Sequence, residues 1–225
     1  ERAMQILLGA TVLGTILSTL HQSSLGALFL MAPTKLHPLW YSTYLPLMFF
    51  ISSIVAGLSM VIFESGVSHR AFKSRVDHHV DLDTLTIGLA RAASVVLFAY
   101  FFLKLQGMAD GGHWALLGTS YGALFLLETI GFVLVPCLLF AFGARHGKAR
   151  MVRWVAAWTV LGVVFNRLTV SWFAMNWTAT EWYIPSWMEV ITSITIVTTG
   201  VVAFRWIVNR MPVLSELPEY RGTSH

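Results

Sequence analysis

An all-α, polytopic transmembrane helix bundle is the fold this sequence predicts, and three observations carry that expectation. Of the 225 residues, 56% are hydrophobic and 12% charged, against about 25% charged in soluble domains. Mean hydropathy is +0.68. Six apolar stretches each reach the roughly 20 residues that about 30 Å of hydrocarbon requires. Finally, Lys and Arg collect in the loops of one side. Eleven of them (Arg2, Arg70, Lys73, Arg75, Arg145, Lys148, Arg150, Arg153, Arg205, Arg210, Arg221) fall there and two, Lys35 and Lys104, on the other. By the positive-inside rule both termini are then cytoplasmic. Trp40, Trp114, Trp172, Trp177, Trp182 and Trp187 mark the opposite interface, as amphipathic rings do.

Span one runs from about Met4 to Met31 and is long enough to tilt or break near His21-Gln22-Ser23-Ser24. Gly14, Ser18, His21 and Ser24 or Leu25 share a face there that would let another helix approach. Span two, Leu45 to Phe63, ends on Glu64, and span three, Leu85 to Leu105, carries Arg91 about two turns in. Span four, Tyr121 to Phe142, holds Glu128 and a Pro136 that predicts a kink. Span five, Val152 to Met175, holds Gly162, Asn166 and Arg167. Span six, Trp187 to Ile207, opens with Glu189 and carries Ser193, Ile196 and Gly200 on one stripe. Residues 1–211 thus form the membrane region and 212–225 a cytoplasmic tail. The loops leave no room for a soluble domain.

Ionisable residues within spans are costly and are candidates for function by default. Glu128, Arg167 and Glu189 fall in the outer half, where Arg167 could neutralise one or both carboxylates, and His21 shares that half. Glu64 and Arg91 lie nearer the cytoplasm. The competing reading of each is structural: a register-fixing ion pair, an interfacial carboxylate, or a hydrogen-bonded core histidine.

Several classes are excluded. A lone Cys137 within an apolar run cannot hold an Fe-S cluster, an intrachain disulfide or c-type haem. Bis-histidine haem needs two facing imidazoles, and His21 alone of the eight histidines lies in a span. His78-His79 with Asp77, Asp81 and Asp83 could bind a metal but reads better as a solvated loop, so no metal site is expected. The net charge of +4 is spread over short loops, unlike the basic face of a nucleic-acid binder. No signal peptide is evident, and a start at Glu1 rather than Met suits a segment of a longer gene product.

The runs Leu20-His21-Gln22-Ser23-Ser24-Leu25-Gly26, Lys35-Leu36-His37-Pro38-Leu39-Trp40 and Val61-Ile62-Phe63-Glu64, with Glu128, Arg167-Leu168-Thr169, Pro185-Ser186-Trp187-Met188-Glu189 and the Pro212 tail, resemble the NrfD/polysulfide-reductase family of membrane subunits. The likeness is to its branch in Hyb-type periplasmic [NiFe] hydrogenases and to the C-terminal part of such chains. It implies one portion of a larger two-bundle architecture in a bacterial or archaeal inner membrane. It also implies a subunit without its own haem or Fe-S cluster that passes electrons from a periplasmic ferredoxin-like Fe-S partner to quinone, menaquinone by expectation. The hydrogenase small and large subunits would be further partners, and proton translocation could be coupled. Within that reading, His21, Gln22, Ser24, Glu128, Arg167 and Glu189 are the quinone-binding or proton-relaying candidates, and Glu64 and Arg91 a path to the cytoplasm. Rival readings are a polysulfide, nitrite or alternative-complex-III module, a passive anchor, and a secondary transporter.

Overall fold

The structure, a computed structural model, describes residues 2–71, 82–179 and 183–210, leaving aside the side chains of residues 2–5, 7, 8, 68–71, 208 and 209. The apolar runs form helices α1 (Arg2–Leu30), α2 (Leu45–Ala71), α3 (Leu82–Asp110), α4 (Ser120–Arg145), α5 (Ala149–Phe173) and α6 (Trp187–Arg210), with no strand among the described residues. Five of these, α2 to α6, are long and apolar enough to cross a membrane. The first expected span is one unbroken helix through His21-Gln22-Ser23-Ser24. The tail and the His78-His79 loop lie outside the described residues.

Two compact units divide the chain. The first comprises Glu1–Gly66 and Leu82–Ala179, the second Val67–Asp81 and Thr180–His225. In the first unit α2 to α5 enclose two apolar clusters. One gathers Val55, Ile62, Ala93, Leu97, Val133, Phe140 and Val152 toward the α4–α5 turn at Gly147. The other gathers Leu36, Leu39, Trp40, Phe49, Met108, Phe125 and Val170 at the opposite end, beside His37. The outward surface is as apolar as the inside: Val95 is 69% and Leu161 65% exposed. Such exposure is costly in water and free in hydrocarbon, so the chain is a multi-pass membrane protein.

Local chemistry sets the helix ends. Thr119 caps α4 by accepting the Gly122 amide at 3.1 Å. At its other end Gly147 takes a φ of 65°, and the Lys148 amide returns to the Gly143 carbonyl at 2.9 Å. That closure requires a left-handed residue, which glycine adopts without a Cβ penalty. Within α4 the disturbance expected at Pro136 takes the form of a π-helical segment, Leu127–Leu134. A proline ring cannot donate to the turn before it, and a wider turn lets the helix pass. A second π segment, Thr169–Phe173, ends α5.

Helix α1 packs by an edge the sequence does not suggest. Gly14, Ser18, His21, Ser24 and Leu25 are all exposed, and the partly or fully buried positions are Thr19, Gln22, Ser23, Gly26, Phe29 and Leu30. At Gly26 the helix backbone meets that of Leu45 and Pro46.

In the second unit, the hydroxyls of Thr192, Ser193, Thr195, Thr198 and Thr199 on α6 each donate to the carbonyl four residues back, at 2.7–2.9 Å.

Candidate functional site

A polar layer separates the two apolar clusters, one residue from each of three helices. Lys104 stands on α3 between Tyr100 and Met108, Glu128 on α4 between Phe125 and Val133, and Asn166 on α5. Glu128 is 1% and Lys104 5% exposed. Their side chains form a buried ion pair on Oε1, the oxygen that also accepts from Asn166 Nδ2. The other oxygen, Oε2, accepts from Trp40 Nε1 at 3.0 Å. With three donors on two oxygens, the carboxylate is satisfied as an anion, which a charge in hydrocarbon requires. Lys104 Nζ also lies 4.8 Å from the centre of the Phe125 ring.

Arg167 was expected to neutralise Glu128, and the structure corrects this. Neighbours on a helix point about 100° apart, so Asn166 faces the carboxylate while Arg167 turns toward α2. There its guanidinium donates to Ser52 Oγ at 2.7 Å and to the Phe49 carbonyl at 3.4 Å. It also lies 3.7 Å from the centre of the Phe49 ring. A bond from Nη1 to Asn166 Oδ1, at 3.4 Å, links it to Glu128 at one remove. Lys104, counted by sequence among the outer-side charges at the last turn of span three, is the counter-ion, and α3 continues past it to Asp110.

Trp40 reaches the layer because the α1–α2 connection folds inward as tight turns. Leu36, His37, Leu39 and Trp40 are all buried. The His37 amide donates to the Ala174 carbonyl at 2.9 Å, and its own carbonyl accepts from Trp40 and Tyr41. His37, 4% exposed, is stacked on Tyr121 at 4.6 Å and meets Trp40 and Trp177 edge-on. Its Nδ1 accepts the Leu39 amide at 3.2 Å, which fixes the neutral tautomer with the proton on Nε2. His21, the histidine expected inside, is exposed on α1, on a face that meets none of the other described helices, and Ser24 beside it donates to the Leu20 carbonyl. Gln22 is half-buried on the packing edge.

Burial, and secondarily His113, hold the His37 imidazole below its ordinary 6.5. The folded state therefore takes up a proton later than the unfolded one as pH falls. The stability from a neutral His37 is complete above 6.5 and is lost as pH drops toward the lower folded value. The protein should melt at progressively lower temperature as buffer pH is taken below 6.5, and His37→Gln should flatten that slope. Equal slopes would show that His37 does not set it.

The remaining candidates lie elsewhere. Glu64 and Arg91 are both exposed, and neither belongs to the two ion pairs among the described residues, Lys104–Glu128 and Arg153–Asp83. The latter, at 2.6 Å, ties α5 to α3 near Gly147. Glu189, in the second unit, accepts from the Tyr183 hydroxyl and from Ser186 Oγ at 3.3 Å. No group of three or more metal-ligating side chains is found among the described residues.

Comparison with known proteins adds context. The family model described as "Polysulphide reductase, NrfD" matches residues 2–179. A protein of Nitratidesulfovibrio vulgaris (strain Hildenborough), named only "Protein", is 47% identical over 222 residues, 97% of this chain and 57% of its own. The "Probable Ni/Fe-hydrogenase 2 b-type cytochrome subunit" of Escherichia coli K12 is 28% identical over 228 residues, all of this chain and 57% of its own. The chain thus spans a little over half the length of these relatives. No solved structure matches it.

Proposed function

The chain belongs to the polysulphide reductase NrfD family, and from that premise we propose that it is the quinone-linked membrane subunit of a hydrogen-oxidising complex. In this reading a partner Fe-S subunit docks at the His37 end, taken as the periplasmic face. Electrons pass from it to a quinone, menaquinone by preference, and the buried layer manages the accompanying protons. The hydrogenase assignment is supported by the printed name of the E. coli relative. The family's description names polysulphide reductase instead, and mass spectrometry of chains copurified in gentle detergent separates the two.

The observation that carries the proton role is Glu128, a carboxylate held by Lys104, Trp40 and Asn166 in the half of the bundle nearer the His37 end. A carboxylate so placed can take up and release a proton while its donors hold it in position. The cavities beside it are about 20 Å³ each, space for about one water and none for a quinone ring. These two cavities are accordingly assigned to proton traffic and not to the quinone.

The relative's name also speaks of a b-type cytochrome, and the described histidines do not suit haem. His37 is packed among three rings with Nδ1 engaged. His21 is exposed, and His146 Nδ1 is bonded to the Phe142 carbonyl. These three do not form a facing pair, and no step is assigned to haem.

Glu128→Gln tests the proton role, since it keeps the size of the side chain and removes its capacity to ionise. In the assembled complex, hydrogen-driven reduction of a soluble menaquinone analogue should fall by roughly a hundredfold or more, the scale of lost proton transfer. Hydrogen oxidation by an artificial dye should persist. An unchanged quinone rate would remove Glu128 from the proposal.

A further inference from the structure

The two small cavities are stacked along the bundle axis. One touches Met48 on α2, Lys104 on α3, Phe125 on α4 and Val170 on α5. The other touches Val55, Leu97, Val133 and Thr159 on the same four helices. These helices alternate in direction, yet on each the second residue lies nearer the Gly147 end, by about two to three turns. Tyr100 and Asn166 line both cavities and form the wall between them. The row continues beyond, because Ser59 Oγ, one turn past Val55 on α2, is fully buried with no partner. An unsatisfied buried hydroxyl calls for a bound water.

The two groups in the shared wall differ in chemistry. Asn166 already donates to Glu128 and accepts from Arg167, and an amide does not exchange protons as a relay must. A phenol donates and accepts through one oxygen. Resting on the proton role proposed for Glu128, we infer that Tyr100 passes protons between a water in the Lys104 cavity and a water in the Glu128 cavity. The hydroxyl gives its proton to one water as it takes another from the opposite side, so the residue is unchanged after each passage. The polar layer is thereby connected toward the Gly147 end.

Two measurements on the intact complex test this. Radiolytic hydroxyl-radical footprinting labels buried side chains that touch bound water. It should oxidise Met48 and Met108, which are buried beside the first cavity, and absence of label on both would overturn the inference without any variant. In proteoliposomes Tyr100→Phe should preserve dye-linked hydrogen oxidation and lower quinone-linked proton uptake by roughly tenfold or more. Wild-type uptake in Tyr100→Phe beside slow uptake in Glu128→Gln would reject Tyr100 and leave Glu128 standing. Wild-type uptake in both would reject the underlying proton role as well.

Discussion

Lys104→Ala is expected to destabilise the bundle by about 3–5 kcal/mol, the penalty for leaving one member of a buried ion pair alone. The carboxylate of Glu128 would keep Trp40 and Asn166 as donors but lose its counter-charge. The double variant Lys104→Met, Glu128→Gln should recover most of that loss. Methionine fills the lysine's channel beside Phe125 and Met108. The glutamine oxygen accepts from Trp40, and with the Asn166 amide turned over its Oδ1 accepts from the glutamine NH2, while Arg167 keeps Ser52 and the Phe49 carbonyl. Thermal unfolding followed by tryptophan fluorescence gives the comparison. If the double variant melts no higher than Lys104→Ala, charge pairing is not what holds this layer. Recovered stability without recovered quinone reduction would separate the structural role of the pair from its proposed proton chemistry.

The second large effect is a difference in sign between two glycines on one helix. Alanine normally favours a helix over glycine by about 1 kcal/mol, and at Gly14 nothing lies within 4 Å of an added Cβ, so Gly14→Ala should be neutral or stabilising. At Gly26 the same carbon would sit 2.8 Å from the Leu45 carbonyl oxygen and 2.9 Å from the Pro46 Cα, both backbone atoms. Neither can swing aside. Gly26→Ala should therefore push α1 off the start of α2, at about 1–3 kcal/mol, and lower the melting temperature. Equal effects at the two positions would mean that α1 does not use the Gly26 edge. The sequence pattern, which favoured the Gly14–His21 face, predicts the opposite ranking.

The helices and Glu128 were legible because run length and intramembrane charge are local properties of a sequence. The counter-ion was not, and the reason is specific. Lys104 is followed by Leu105-Gln106-Gly107-Met108-Ala109-Asp110, which reads as a loop once the apolar run is judged to end at Leu105. A signal was nonetheless present: Ala93, Leu97, Tyr100, Lys104, Gly107 and Met108 recur at helical spacing and form the buried side of α3. The pairing of Arg167 with Glu128 failed on direction rather than depth, since a one-residue offset on a helix selects a different neighbour. His37 was missed because a Pro- and His-bearing connection is ordinarily solvated. The apolar residues Leu36, Leu39 and Trp40 around it were the hint that this one is not. Which side of α1 packs depends on where the α2 backbone arrives, and no periodicity within α1 encodes that.

The self-bonded hydroxyls of α6 change how that helix meets its solvent. Five Ser and Thr side chains within eight residues would count as a polar burden on any scale of insertion into lipid, where an unbonded hydroxyl is expensive. Each donor is already committed to the turn before it. The four threonines keep a methyl group beside each bonded oxygen, much as valine would present two. Whatever insertion machinery or lipid the helix encounters therefore meets a surface closer to branched hydrocarbon than its composition suggests, and the free energy of placing α6 in a bilayer is more favourable than the sum of its residue values.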